Sequence, residues 1–146
     1  MIAYFDSSSI VKWFFDEPFM EPTRELKRDS EAVFTSPISY PAVMSAFYRA
    51  WREGRCSQFD MELVRSEFIR VWANFQWVKV NETLVARAGQ LIFRHGLRGF
   101  DAMHLSSALV LKEEGEGIEI FFSCFDKNLN RAALNEGLSV HPGLNI

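Results

Sequence analysis

The amino-acid sequence predicts an α/β fold, a three-layer α/β/α sandwich around a mostly parallel sheet. Short apolar segments alternate along the chain with longer segments of helical periodicity, and the connections between them are short. Apolar residues make up 48% of the 146 residues, which is enough for a sheet covered by helices on both faces. Neither a repeat nor a linker interrupts the pattern, so we expect a single domain over residues 1–146.

The first half of the chain predicts two strands and four helices. The strands are short apolar runs, the first of which ends at Asp6. The second helix is short and polar, and the other three carry apolar residues with helical spacing. Gly54 stands where the third helix should end, at the C′ position that favours glycine. The predicted elements are strands at 2–5 and 32–36 and helices at 7–17, 21–30, 39–54 and 57–75.

The second half continues the alternation with three strands and three helices. The predicted elements are strands at 77–80, 119–124 and 138–141 and helices at 82–96, 100–115 and 127–137. Parallel sheets of this kind bind ligands beyond the carboxyl ends of their strands, at the point where the strand order reverses. The residues that follow each strand are therefore the candidates for a functional site.

Three aspartates stand at such positions. Asp6 ends the first strand, Asp126 follows the fourth strand, and Asp101 opens the helix predicted at 100–115. Each also suits the start of a helix, where a capping Asp contributes about 1 kcal/mol relative to Ala. Three carboxylates at one sheet edge repel one another, and a divalent cation relieves that repulsion. Oxygen ligands favour Mg²⁺ or Mn²⁺, so metal ligands and helix caps are both open interpretations.

Composition and charge exclude several classes of protein. A formal net charge of −3 gives no global basic field, so a nucleic-acid site would have to be a local patch. No apolar run reaches the ~18 residues of a membrane span, and the amino terminus has no signal-peptide pattern. Cys56 and Cys124 form neither a metal motif nor a disulfide framework. We expect a cytoplasmic protein with reduced thiols and no membrane partner.

The segments around the three aspartates resemble the motifs of the PIN-domain family, in particular ribonucleases of the VapC-toxin type. The run YFDSSSIVKWF resembles the first motif, LRGFDAMHLSSAL the third, and FFSCFDKNLNRAALNEGLSV the fourth. The likeness extends over essentially the whole chain. It implies the strand order 3-2-1-4-5 and an endoribonuclease that hydrolyses RNA phosphodiesters with Mg²⁺ or Mn²⁺ bound by Asp6, Asp101 and Asp126. It also implies a VapB-like antitoxin partner and a homodimer.

The second motif departs from the family pattern. PIN domains usually carry a glutamate in the helix after the second strand, and Ala42 occupies the matching position in SYPAVMSAFYRA. Glu53, the next acid downstream, is three turns further along that helix and too distant to substitute. The loss has three explanations: natural weakening, deliberate replacement, or selection against a toxic activity. We favour disablement, by intent or by selection, because the rest of the signature is intact.

Other polar residues near the motifs have less certain roles. Ser8 matches a polar position of the first motif and either orients Asp6 or a metal-bound water, or is a first-turn hydroxyl. His104 lies one helical turn beyond Asp101, but Mg²⁺ prefers oxygen, which argues against a ligand role. Four cations near the motifs are either surface residues or contacts for RNA phosphates. They are Lys12, Arg98, Lys127 and Arg131.

Two other functions compete with the ribonuclease. One is a non-catalytic RNA-binding or partner-binding module that keeps the fold, and Ala42 is the best argument for it. The other is a phosphoacceptor receiver domain, which also has acids at strand ends of an α/β sheet. That class requires adjacent acids after the first strand, whereas Asp6 is followed here by Ser7 and Ser8.

Overall fold

The structure, a computed structural model, describes residues 1–15 and 20–142. Its sheet has five parallel strands in the order β3-β2-β1-β4-β5, which confirms the order implied by the family resemblance. The strands are β1 (Ile2–Phe5), β2 (Ala32–Thr35), β3 (Gln76–Trp77), β4 (Ile120–Ser123) and β5 (Ser139–His141).

Seven helices connect the strands within the described part of the chain. They are α1 (Ser7–Val11), α2 (Met20–Asp29), α3 (Ser39–Arg52), α4 (Gln58–Trp72), α5 (Glu82–His95), α6 (Gly99–Glu114) and α7 (Lys127–Asn135). Gly54 follows the C-cap of α3 with a φ of 75°, which confirms its predicted role at the end of that helix.

Most predicted elements differ from the structure by one to three residues at an end, and the first helix and the third strand depart in ways that need an explanation. The helix expected at 7–17 ends at Val11 and continues as turns, while its last part, 16–17, lies outside the described residues. The third strand was expected at 77–80 but is Gln76–Trp77. The reason is its neighbour: β2 ends at Thr35, whose carbonyl accepts from the Val78 amide at 2.9 Å, so later residues have no strand to pair with.

The sheet separates two apolar clusters, as expected for three layers. Successive side chains of β1 point to opposite faces, with Tyr4 on one side and Ala3 and Phe5 on the other. Tyr4 packs with residues of α5, α6 and α7 and stacks on Phe122 of β4 at 5.6 Å between ring centroids. The opposite cluster includes apolar side chains of α3 and α4, among them Phe47 and Phe68, whose rings pack edge to face at 5.7 Å between centroids. Both clusters fix β1 and β4 at the centre of the sheet.

Helix α6 is buried along most of its length, which fixes the position of its first turn. Eight of its residues are buried, and the Ser106 hydroxyl donates to the Leu84 carbonyl of α5 at 2.8 Å. Asp101 in that first turn is therefore anchored by core packing rather than by a mobile loop. None of the helices within residues 1–15 and 20–142 is both long and apolar enough to span a membrane.

Candidate metal centre

The carboxyl ends of the two central strands bring two of the three aspartates to one edge of the sheet. Asp6 follows β1 directly, and its amide donates to the Ser123 carbonyl of β4 at 3.1 Å. Asp126 comes three residues after β4 and begins α7. Strands β1 and β4 are where the strand order reverses, the position at which open α/β sheets bind ligands.

Asp6 is a buried carboxylate held by local hydrogen bonds. It is 4% exposed, and its Oδ1 accepts from the Ser9 amide at 2.9 Å and from the Ser8 hydroxyl at 2.8 Å. Burial raises the pKa of Asp6 to about 7, the hydrogen bonds from Ser9 and Ser8 oppose this, and the charge of Asp101 adds to it. A nearby cation stabilises the charged form of a carboxylate that is buried beside another carboxylate.

A single guanidinium joins the other two aspartates. Arg98 Nε donates to Asp101 Oδ2 at 3.2 Å, and Arg98 Nη2 donates to Asp126 Oδ2 at 3.4 Å. Burial raises the pKa of Asp101, Arg98 lowers it, and the charge of Asp126 raises it again. Asp101 thus raises the pKa of Asp6, and its own pKa is raised by Asp126.

Helix capping accounts for two of the three aspartates. Asp6 caps α1, and Asp126 caps α7 by accepting from the Leu129 amide with Oδ1 at 2.8 Å. Asp101 caps nothing, because the N-cap of α6 is Arg98, which makes no side-chain capping bond. The capping interpretation therefore leaves Asp101 unexplained, and the Oδ2 atom of Asp126 faces Arg98 rather than its helix.

The donor chemistry of this edge fits a hard divalent cation. All three side chains offer carboxylate oxygens, and two of them already share one cationic group, Arg98. The side chains do not form a closed cluster: within the described residues, no three His, Cys, Asp or Glu side chains are grouped closely enough to hold a metal ion. A bound cation would have to draw the carboxylates together and displace the guanidinium.

Ala42 lies at the start of α3, at the same end of the sheet as Ser8. The two residues line one cavity of about 510 Å³. Glu53 is at the other end of α3, roughly 16 Å away at 1.5 Å per residue, and pairs with Arg55 at 3.4 Å. No acid of α3 therefore replaces a carboxylate at position 42.

Comparison with known proteins identifies the family. The model of the PIN domain matches residues 3–135. The chain belongs to the PIN-domain family. Two curated relatives from Mycobacterium tuberculosis are Ribonuclease VapC45 of strain CDC 1551 / Oshkosh and Ribonuclease VapC49 of strain H37Rv. Each is 29% identical over 141 residues, which cover 97% of this chain and 95% of the relative.

Solved structures share this PIN fold. VapC20 of M. tuberculosis, described as a Sarcin-Ricin loop cleaving toxin, aligns with a TM-score of 0.63 and 18% identity. That alignment covers 89% of this chain and 94% of VapC20. FitAcB from Neisseria gonorrhoeae aligns with a TM-score of 0.67 and 12% identity over the full length of both chains. At these identities the likeness supports the fold alone.

His104 is a core residue of this PIN domain. Its Nδ1 is 2.8 Å from the hydroxyl of Tyr4, and burial lowers its pKa to about 4. The ring therefore packs on the inner face of α6 while Asp101, one turn earlier, lies at the sheet edge. Although His104 lies only three residues after Asp101 on α6, the two side chains do not belong to one site.

Sequence reasoning missed how Arg98 is used. The spacing of three residues to Asp101 was a signal for that ion pair. Nothing in the sequence indicated the second contact, because Asp126 is 28 residues away and is brought near only by the sheet. Of the other cations near the motifs, Lys12 lies over the Phe125 ring at 5.2 Å, and Lys127 and Arg131 are exposed on α7.

Proposed function

We propose that this PIN domain is an endoribonuclease of the VapC-toxin type that uses Mg²⁺ or Mn²⁺ and is weakened by Ala42. The observation that supports the proposal is that Asp6 and Asp126 follow β1 and β4, where the strand order reverses, and that Arg98 links Asp126 to Asp101. Similarity to two ribonucleases over 97% of the chain supports the substrate class. The proposals about the metal, its ligands and the activity of this sequence rest on the geometry at the carboxyl ends of β1 and β4.

In this proposal the three aspartates hold the metal, directly or through water. A divalent cation at this edge supplies a bound water of lowered pKa and neutralises charge that develops on the phosphoryl oxygens. Ser8 fixes the Asp6 carboxylate by donating to its Oδ1 at 2.8 Å. The chain's own task is therefore to orient the carboxylates and the scissile phosphate, without a histidine base.

Arg98 has two successive roles in the same proposal. Without metal its guanidinium satisfies Asp101 and Asp126. A divalent cation held by Asp101 and Asp126 would compete for these carboxylates, and the guanidinium would then be free. Because Arg98 is the N-cap of α6, the freed side chain stays beside the site and is able to contact an RNA phosphate.

Ala42 accounts for the weakening. Alanine neither coordinates a metal nor accepts a hydrogen bond, so one of about four acidic side chains is missing from the family pattern. The remaining charge suffices to bind metal loosely, but misplacing the metal or water by ~1 Å costs about 10²-fold in rate. The same observation favours the second candidate function, a non-catalytic PIN-fold module that binds RNA or a protein partner.

The wider biological setting is also a proposal. The VapC relatives support a VapB-like antitoxin as partner. FitAcB shares the fold of this chain. We propose a single PIN-like domain over residues 1–146 that acts in the cytoplasm as a homodimer. The reduced thiols Cys56 and Cys124 agree with that compartment.

The test is a side-by-side cleavage assay of this chain and Ala42→Glu. Several single-stranded and structured RNAs are incubated with Mg²⁺, Mn²⁺ or EDTA. We expect Ala42→Glu to raise metal-dependent cleavage at least about tenfold, equivalent to ~1.4 kcal/mol of the barrier, and to tighten Mn²⁺ binding. Ala42→Gln, which has the same size without the charge, is the control. A folded Ala42→Glu protein with neither gain would replace the ribonuclease by the non-catalytic module.

A further inference from the structure

A cavity lies beside Ala42, next to the residues of the proposed metal site. It measures about 510 Å³ and opens between α1, α3 and the first turn of α6. That volume lies within the ~300–1,000 Å³ typical of ligand pockets. Its walls combine small, cationic and aromatic side chains, among them Ser8, Lys12, Ala42, Ser45, Arg49 and Phe100.

The cavity adjoins the proposed metal site directly. Ser8 lines it and donates to the Asp6 carboxylate at 2.8 Å, while Phe100 lines it and precedes Asp101 in the chain. Any phosphodiester held at the aspartates therefore has a neighbouring nucleotide within reach of the cavity. On α3, Ala42, Ser45 and Arg49 share one helical face, and the two small side chains leave the space open.

Phe100 is the feature of this cavity that core packing does not explain. The side chain is 70% exposed, although Phe is among the residues most often buried. An exposed aromatic ring beside a phosphodiester site is a platform on which an unpaired base stacks. The ring is carried by α6, whose burial fixes the platform relative to Asp101.

The charges of the cavity favour a phosphate group. Arg49 is exposed, and its side chain makes no ion pair or hydrogen bond within the described parts of the chain. Lys12, at the other wall, adds a second positive charge in a protein whose net charge is −3. Two local cations beside an aromatic ring complement a nucleotide, whose phosphate and base match these two kinds of side chain.

We propose that this cavity is a subsite for one unpaired nucleotide of the RNA, with its base on Phe100 and its phosphate at Arg49. The proposal rests on the proposed ribonuclease function and adds to it the residues that hold one nucleotide beside the aspartates. Alanine at position 42 leaves the subsite wider than a glutamate would, since a longer side chain there projects into the same space.

The test compares Phe100→Ala, Phe100→Trp and Arg49→Ala with Phe93→Ala, a control that removes a 95% exposed ring from α5. Fluorescence anisotropy with a labelled single-stranded oligoribonucleotide in Mn²⁺ gives the affinities, and a gel of each sample verifies intact RNA. We expect Phe100→Ala to weaken binding about 5- to 10-fold and Phe100→Trp to preserve it. Arg49→Ala should reduce the dependence of log K on log salt by about 0.7. Binding of duplex RNA should stay unchanged in all variants.

Two failures are distinguishable. If Phe100→Ala binds single-stranded RNA as tightly as Phe93→Ala, the subsite is wrong, whereas cleavage by Ala42→Glu would still support the ribonuclease. If Ala42→Glu cleaves nothing and no variant binds RNA, the proposed function itself fails. A change in molar mass of Phe100→Ala by light scattering, with RNA affinity unchanged, would assign the face to contacts between copies and overturn the subsite.

Discussion

Replacing Arg98 by alanine should tighten metal binding. The guanidinium lies 3.2 Å from Asp101 and 3.4 Å from Asp126, and a divalent cation in the proposed site would compete with it for these carboxylates. In the variant the metal no longer displaces a bound cation, and one positive charge that repels it is gone. This direction is unusual. Truncating a side chain next to an active site ordinarily weakens binding, whereas the loss of the Arg98 side chain should strengthen metal binding.

The magnitude follows from the geometry of the two ion pairs. Arg98 is 79% exposed, so each pair falls in the ~0.2–1 kcal/mol range of solvated salt bridges rather than the range of buried ones. Losing two such pairs on metal binding costs about 0.4–2 kcal/mol, which corresponds to about 2- to 30-fold in affinity. High exposure favours the lower part of this range, and we expect about 2- to 5-fold.

The assay is calorimetric titration with Mn²⁺ of the unmodified protein, Arg98→Ala, Arg98→Lys and Lys127→Ala. Lys127 is exposed and adjacent to Asp126, so its removal controls for the loss of one positive charge near the site. Arg98→Lys keeps the charge but not the two-pronged contact, and should fall between the unmodified protein and Arg98→Ala. Equal affinities of Arg98→Ala and Lys127→Ala would refute the competition. Absence of Mn²⁺ binding in all four proteins would refute the metal site.

Three further predictions concern the same edge and the core behind it. Millimolar Mn²⁺ should raise the melting temperature of the unmodified protein, because a cation that binds only the native state stabilises it; coincident melts with and without metal would count against the site. Asp126→Asn should keep its cap on α7 and lose the charge, so we expect Mn²⁺ affinity to fall at least about tenfold while the free energy of unfolding in EDTA changes by less than ~1 kcal/mol. Unchanged Mn²⁺ affinity would return Asp126 to a capping role alone. Burial lowers the pKa of His104 from 6.5 to about 4, so the unfolded chain takes up the proton first, and stability present above pH 6.5 is lost as the pH falls toward 4. The loss is at most about 1.4 kcal/mol per pH unit, and urea unfolding of His104→Gln should lack this component. The raised pKa of Asp6 changes the pH dependence of stability in the opposite direction, but it does so equally in both proteins. The difference between the two proteins therefore isolates the contribution of His104.

Local patterns predicted most of the elements, and the misplaced third strand has a cause outside its own segment. Gly54 ends α3 as its sequence position indicated, because a positive φ is cheap only for glycine. The third strand was misplaced, because strand bounds depend on a partner as well as on apolar composition. Val80 belongs to an apolar segment but has no β2 residue opposite it, since β2 ends at Thr35.

For the candidate site, too, some features were predictable from the sequence and others depended on the fold. The sequence placed Asp6, Asp101 and Asp126 where strands end or helices begin, and it exposed Ala42 as the departure from the family pattern. Spacing also suggested that His104 shared a side of α6 with Asp101, and the fold instead buries it against Tyr4. A helical face does not distinguish the core from a sheet edge, because the direction of the face depends on what the helix packs against.

By itself, then, the sequence determined the parallel α/β sheet, the three acidic positions and the alanine among them, because periodicity, capping and motif order are local properties of the chain. Only the tertiary structure decided that one guanidinium spans Asp101 and Asp126, and that Phe100 and Arg49 face a common cavity. Those juxtapositions join residues that are 28 and 51 positions apart along the chain. They exist because packing on both faces of the sheet fixes where α3, α6 and α7 begin, and no pattern within a single segment carries that information.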